Sequence, residues 1–220
     1  MKSRFAVRCV APALIVLAIG AGAARADDLS GLAGRYAIGT GTNVAFSVAA
    51  SVGPGISGRF TGFSGTIDFD PVHAERSSVT FDVNAASVTT GIALLDGVLR
   101  SDAAFNADAY PVISFRSTAV QRTGPASADI EGLMTLRGQT VPERFSVDLT
   151  GHGGDSAEFR VTGTLMRTAF GMTAGFPAFS DKVVLNLSVD GRRLSGARQD
   201  DARQDGARQD GARQDGARQG

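Results

Sequence analysis

The chain has one cysteine, Cys9, and it stands in the first 26 residues. Met1 to Ala26 carries Lys2, Arg4 and Arg8, then the apolar run Val10 to Ile19, then Ala24-Arg25-Ala26. A basic start, a short apolar stretch and an A-x-A site describe a secretory leader cleaved after Ala26. The run is broken by Pro12 and falls short of the roughly 20 residues a membrane span needs. A mature chain from Asp27 then has no thiol and no disulfide, so an exported domain has to rely on its core. Cys9 precedes the apolar run and is not placed as a lipid-modified cysteine. A periplasmic or secreted location follows.

Basic charge is also scarce. Removing the leader takes away four of 22 basic residues and no acid, which leaves 18 against 22, a formal −4. Lys182 is then the only lysine, and no basic stripe remains to attract a phosphate backbone, which excludes nucleic acid as a partner. There are two histidines, His73 and His152, both in turn-like stretches without a second metal-type ligand at useful spacing, so no metal site is expected. No Ser-His-Asp arrangement and no glycine-rich phosphate loop can be assembled, and no cofactor is implied. From Gly196 the chain repeats GARQD-like units whose largest apolar side chain is alanine. Such a segment cannot offset its ordering entropy by burial and is expected to be a disordered tail, residues 196–220.

Between these ends, 27–195 has the length of one domain. Here apolar and polar residues alternate at period two, with turn signals between the runs. Val44, Phe46 and Val48 form one set. Phe63, Gly65, Ile67 and Phe69 form a second, and Val79, Phe81 and Val83 a third. Ile113 with Phe115, then Ile130 to Leu136 through Met134, then Phe145 to Leu149 continue the pattern. Phe159 to Leu165 and Val183 to Val189 complete eight candidate strands. One-sided alternation argues for antiparallel pairing. Closure into an all-β, eight-stranded antiparallel barrel would remove exposed edges, and a sandwich is the alternative that pattern alone allows.

One stretch, near residues 92–106, breaks the rhythm. Leu94, Leu95, Val98 and Leu99 fall at helical spacing, and Ser101 before Asp102 and Phe105 reads as a cap and a further helical turn. Tyr110-Pro111 returns the chain to strand. The insert is expected to be a lid on the barrel.

Longer motifs carry a family resemblance. GRFTGFSGTIDFDP at 58–71, SVTTGIALLDGVLRSDAAFNADAYPVISFRST at 87–118, DIEGLMTLRGQT at 129–140 and RTAFGM at 167–172 follow in order. In these the chain resembles the YceI-like family of exported lipid-binding proteins. The resemblance implies a lipocalin-like barrel with a long apolar tunnel for a polyisoprenoid chain, such as an isoprenoid quinone tail, or a similar amphiphile. Three histidines customary in that family are missing, among them the one where Val98 stands, so grip on a tail is expected rather than recognition of a head group.

The expected tunnel residues are the inward phenylalanines Phe46, Phe63, Phe69, Phe81, Phe115, Phe145 and Phe159. With them go Ile67, Ile113, Met134 and Leu165 on the strands, Leu94, Leu99 and Phe105 in the insert, and Phe170 and Met172 on a late rim. Gly65, Gly132 and Gly163, at inward positions, are expected to leave room for a ligand. Asp96, Arg100 and Asp102 form a polar cluster with two readings: a local cap and ion pair, or a group that orients a ligand head at the mouth. Asp68, Asp70 and Asp82 fall on polar strand faces and read as solvated surface rather than general acid–base pairs. The rival to a lipid carrier is a small barrel with a packed core that binds a protein partner. A homodimer is compatible with either.

Overall fold

The computed structural model describes residues 29–194. The expected leader and the repeat tail lie outside the described residues.

Eleven strand segments close into eight walls. The first wall is β1 (Gly34–Ile38) continued by β2 (Asn43–Ala50). Both pair antiparallel with β11 (Phe179–Arg193), through Ile38↔Gly191 and Asn43↔Ser188. The second wall is β3 (Ile56–Phe60) with β4 (Phe63–Phe69), and the third is β5 (Ser78–Asn84) with β6 (Val88–Thr89). β3 lies on β2, β4 lies on β1, β5 lies on β4, and β6 returns to β3. The remaining walls form a meander: β7 (Val112–Arg122), β8 (Ser127–Leu136), β9 (Gln139–Gly153), β10 (Ser156–Met166) and β11. The β1–β11 pairing closes the ring, so the barrel, not the sandwich, is the fold.

All eight expected strands are present. Three walls are broken, and the breaks at Gly39–Thr42, Thr61–Gly62 and Ala85–Ser87 lie side by side. Each is held by specific bonds. Gly39 N–H donates to Asp190 O at 2.6 Å and Asp190 N–H to Thr42 Oγ1 at 3.0 Å. Asn84 N–H reaches Gly62 O at 2.8 Å, and Ala85 N–H reaches Pro111 O at 2.9 Å. The backbone groups freed by the bend are thus paired, as buried polar groups require.

The β9–β10 ladder stops at Phe145↔Gly163, although β10 stays paired with β11 to Met166. Pro142, opposite Leu133 of β8, lies on the stretch of β9 that β10 leaves uncovered, an edge position of the kind proline takes in a sheet. The turn Arg167–Phe170 covers the gap, and Phe170 is fully buried in it.

The helix α1 (Ala93–Arg100) lies between β6 and β7. It is shorter than the expected insert: 101–110 is a chain of turns, and Ser101 ends α1 rather than opening a new helix. Its hydroxyl donates to Val98 O at 2.8 Å and accepts from Ala103 N–H at 3.3 Å. The barrel therefore has two unlike ends. One carries α1, the β2–β3 loop and the segment before β11. The other carries the single turn Leu29–Leu32 and the β4–β5, β7–β8 and β9–β10 connections.

Candidate ligand-binding tunnel

The inward positions enclose a cavity of about 610 Å³. It runs from α1 to the opposite end, where Leu29, Pro71 and Pro125 line it. Its wall is almost wholly aliphatic and aromatic. The volume is in the range of pockets that hold a small molecule and far above the voids left in a packed interior. Side chains do not fill the barrel.

The expected tunnel residues divide three ways. Phe46, Ile67, Phe69, Phe81, Ile113, Phe115, Met134, Phe145, Phe159 and Leu165 line the cavity from the strands. Leu99, Phe105 and Met172 line it from the lid end. Phe63, Leu94 and Phe170 do not. Phe63 packs beside Phe81, with ring centroids 6.1 Å apart, at the wall. Phe170 is anchored in the rim, behind the lumen. Leu94 is 82% exposed. At 100° per residue it stands about 140° around the helix from Leu99, and Leu95, Val98 and Leu99 take the cavity side instead.

The expectation for the glycines needs correcting. A Cβ on Gly163 would stand 2.4 Å from Phe145 Cδ1, and one on Gly132 would stand 2.5 Å from Phe115 Cζ. A Cβ on Gly65 would meet Phe81 and, at 2.3 Å, the Thr80 carbonyl. Gly58 stands in the same relation to Phe46, with Cζ at 2.7 Å. Gly58, Gly65 and Gly163 face their phenylalanines directly across the ladder, and Gly132 lies diagonally from Phe115. The space at each glycine is taken by a neighbouring ring, not by a ligand. The consequence still favours an open lumen, because a ring laid over glycine lies along the wall instead of projecting inward.

The lid is held by an aromatic triangle and by Asp96. Phe105 is edge-on to Phe60 and Phe46, with centroids at 5.4 and 6.3 Å. Asp96 accepts from Thr90 N–H and Thr90 Oγ1, both at 2.6 Å, and from Thr89 Oγ1 at 3.1 Å. The Thr90 hydroxyl, then its N–H, then Thr89 and Arg100 hold the Asp96 carboxyl below its ordinary pKa. Arg100 stands 3.9 Å away at the surface, and Asp102 is exposed and apart from both. The polar cluster is therefore the cap and local ion pair, not a group facing the lumen.

Sequence reasoning missed Arg167. It is 7% exposed, lines the cavity, and has no carboxylate within ion-pair reach among the described residues. Its guanidinium donates to the carbonyls of Met172, Ala174, Phe179 and Ser180 at 2.8–3.1 Å. These bonds pin the segment that rims the mouth. Main-chain acceptors leave no signature in a sequence, although RTAFGM contains the residue. At the far end Arg193 donates to the hydroxyl of the buried Tyr36 and to Ala33 O and Gly31 O, which fixes the Leu29–Leu32 turn over the opening. Nearby surface carboxylates are occupied locally: Asp82 pairs with Arg116 at 2.8 Å, Asp68 pairs with Arg35 at 3.5 Å, and Asp70 caps the turn at Val72 and His73.

A closed eight-stranded antiparallel barrel around an apolar lumen, lidded by one short helix, is a ligand-enclosing barrel. Residues 36–190 match the YceI-like domain model, and the chain belongs to that family. A UPF0312 protein of Ectopseudomonas mendocina is 36% identical over 141 residues, 62% of this chain and 74% of that relative. One from Pseudomonas aeruginosa is 37% identical over 141 residues, 62% of this chain and 73% of its own length. Among solved structures, a Campylobacter jejuni YceI protein matches with a TM-score of 0.58 at 25% identity, covering 63% of this chain and 85% of its own. BcnA of Burkholderia cenocepacia matches at 0.64 and 22% identity, over 68% and 96%. A polyisoprenoid binding domain from Saccharophagus degradans matches at 0.55 and 16% identity, over 72% and 98%. The last two likenesses concern the fold.

Proposed function

We propose that this protein is an exported carrier that holds an isoprenoid chain, or an amphiphile of similar shape, in its barrel. The observation that carries the reading is the apolar cavity of about 610 Å³, which runs the length of the barrel and is closed by α1. Each buried methylene contributes about 0.8 kcal/mol, so one five-carbon isoprene unit contributes roughly 3–4 kcal/mol before the costs of ordering. A few units suffice for tight holding without a hydrogen bond. Val98 at the mouth, where the family pattern has histidine, fits a grip on the tail with little selection of the head. The polyisoprenoid binding domain among the structural neighbours agrees with this ligand class, and the leader-like Met1 to Ala26 agrees with export. The role is binding rather than catalysis, since Asp96 and Arg167 are spent on holding the lid and rim.

The test is displacement. An apolar fluorescent dye should enter the barrel and be expelled by an isoprenoid quinone in proportion to its bound fraction. Exclusion of the dye at all concentrations would mean that the lumen does not accept apolar ligands.

A further inference from the structure

We propose that the α1 end of the barrel is a docking face for a lipid bilayer, through which the bound chain enters and leaves. The proposal rests on the carrier reading above and adds where exchange takes place.

Three separate segments surround the mouth, and each exposes apolar side chains. Val52, in the β2–β3 loop, is 92% exposed, and Phe176, in the segment before β11, is 61% exposed. Leu94, on α1, is the third, with Ile92 and Val98 beside it. The segments belong to one surface. Ser51 N–H donates to Ala178 O at 2.8 Å and Ser51 Oγ to Pro177 O at 2.9 Å, which ties two of them together. Pro54, Gly175 and Val98, one from each, line the same cavity. The exposed patch is thus continuous with the tunnel wall, and a hydrocarbon chain can pass between them without crossing water.

Charge separates this end from the other. The loops 51–55 and 171–178 contain no charged residue, which is unusual for exposed turns and fits the interfacial region of a bilayer. Arg137 turns onto the carbonyls of Ala104 and Gly171, and Arg167 onto four others. The far end instead presents Asp70, His73, Glu75 and Arg76 in one loop and Asp155 in another. Beside α1, Arg100 is outnumbered by Asp96, Asp102 and Asp108, so no net positive charge draws this face to anionic lipid. Insertion is apolar, and zwitterionic lipid suffices.

The chain has no tryptophan, so a single reporter can be placed without background. Phe176→Trp puts it on the patch, and Val72→Trp puts it at a 60% exposed site on the far end. With phosphatidylcholine vesicles, the emission at 176 should move to the blue and be quenched by lipid brominated on its acyl chains. The emission at 72 should not change. Adding Leu94→Ser to Phe176→Trp should weaken partition about tenfold, with little dependence on salt. The proposal is overturned if the reporter at 176 is unmoved, or if both reporters move alike. It is also overturned if the reporter at 176 shifts without vesicles while the mass doubles, which would make the patch a contact between two copies. Dye displacement by an isoprenoid quinone in vesicle-free buffer, on the same variants, keeps the two readings apart. A dye that enters while the reporter at 176 stays unmoved leaves a carrier without this docking face, whereas an excluded dye counts against the carrier itself.

Discussion

Asp96 decides between the two readings of its motif in favour of the cap and local ion pair. Its carboxylate faces Thr89 and Thr90, and it anchors the lid instead of greeting a ligand. Because its pKa in the fold lies below the ordinary 3.8, its contribution is complete above that value and fades as pH falls through the depressed one. Asp96→Asn should therefore lower Tm most at neutral pH, and the gap to the parent should narrow in acid. A gap independent of pH would place the effect elsewhere. Glu143 has the opposite sign. It takes an inward position on β9, opposite Gly132, its carboxyl makes no hydrogen bond or ion pair among the described residues, and burial pushes its pKa above the ordinary 4.5. The fold then favours the protonated form, so stability falls as pH rises from the ordinary value through the raised one. Glu143→Gln should raise Tm at neutral pH and match the parent below the ordinary carboxylate range, as thermal melts across pH would show. Neither role was legible in the sequence. Period two places Glu143 inward, but which groups surround it depends on partners far away in the chain.

At the scale of elements, the strands were legible because each alternates on a wall wet on one side. The three breaks were not. β1 is short, β3 carries Gly58 on its inward face, and β6 has two residues, so none sustains a period long enough to detect. The helix was visible from its spacing, but its facing was not, because Leu95 rather than Leu94 joins Val98 and Leu99 on the cavity side. The glycines taught a similar lesson. An inward glycine signals close approach, and only the register reveals that the approaching group is a phenylalanine ring from the next wall. Gly163→Ala should force the Phe145 ring off the wall and into the lumen. Overpacking of this kind costs about 1–3 kcal/mol, and here it should also reduce the length of chain the barrel accepts. Chemical denaturation and the chain-length dependence of binding test the two parts. Unchanged stability and capacity would mean that the wall yields elsewhere.

For the whole molecule, the lumen decides the account. An apolar lumen of about 610 Å³ leaves its lining without partner atoms on one side, which forfeits dispersion contacts. Among the described residues there is no cysteine, so no disulfide offsets this loss. Walls this apolar favour hydrocarbon over ordered water, which needs two to four polar partners. The packed-core reading, open from the pattern alone, fails on the same volume. The most direct test is native mass spectrometry of the protein purified from cells without detergent. A population heavier than the chain by the mass of one lipid is expected, the lipid being released on collisional activation with a series of isoprenoid or comparable hydrocarbon fragments. Protein that carries no lipid, and that takes up none when an isoprenoid quinone is added, would contradict it.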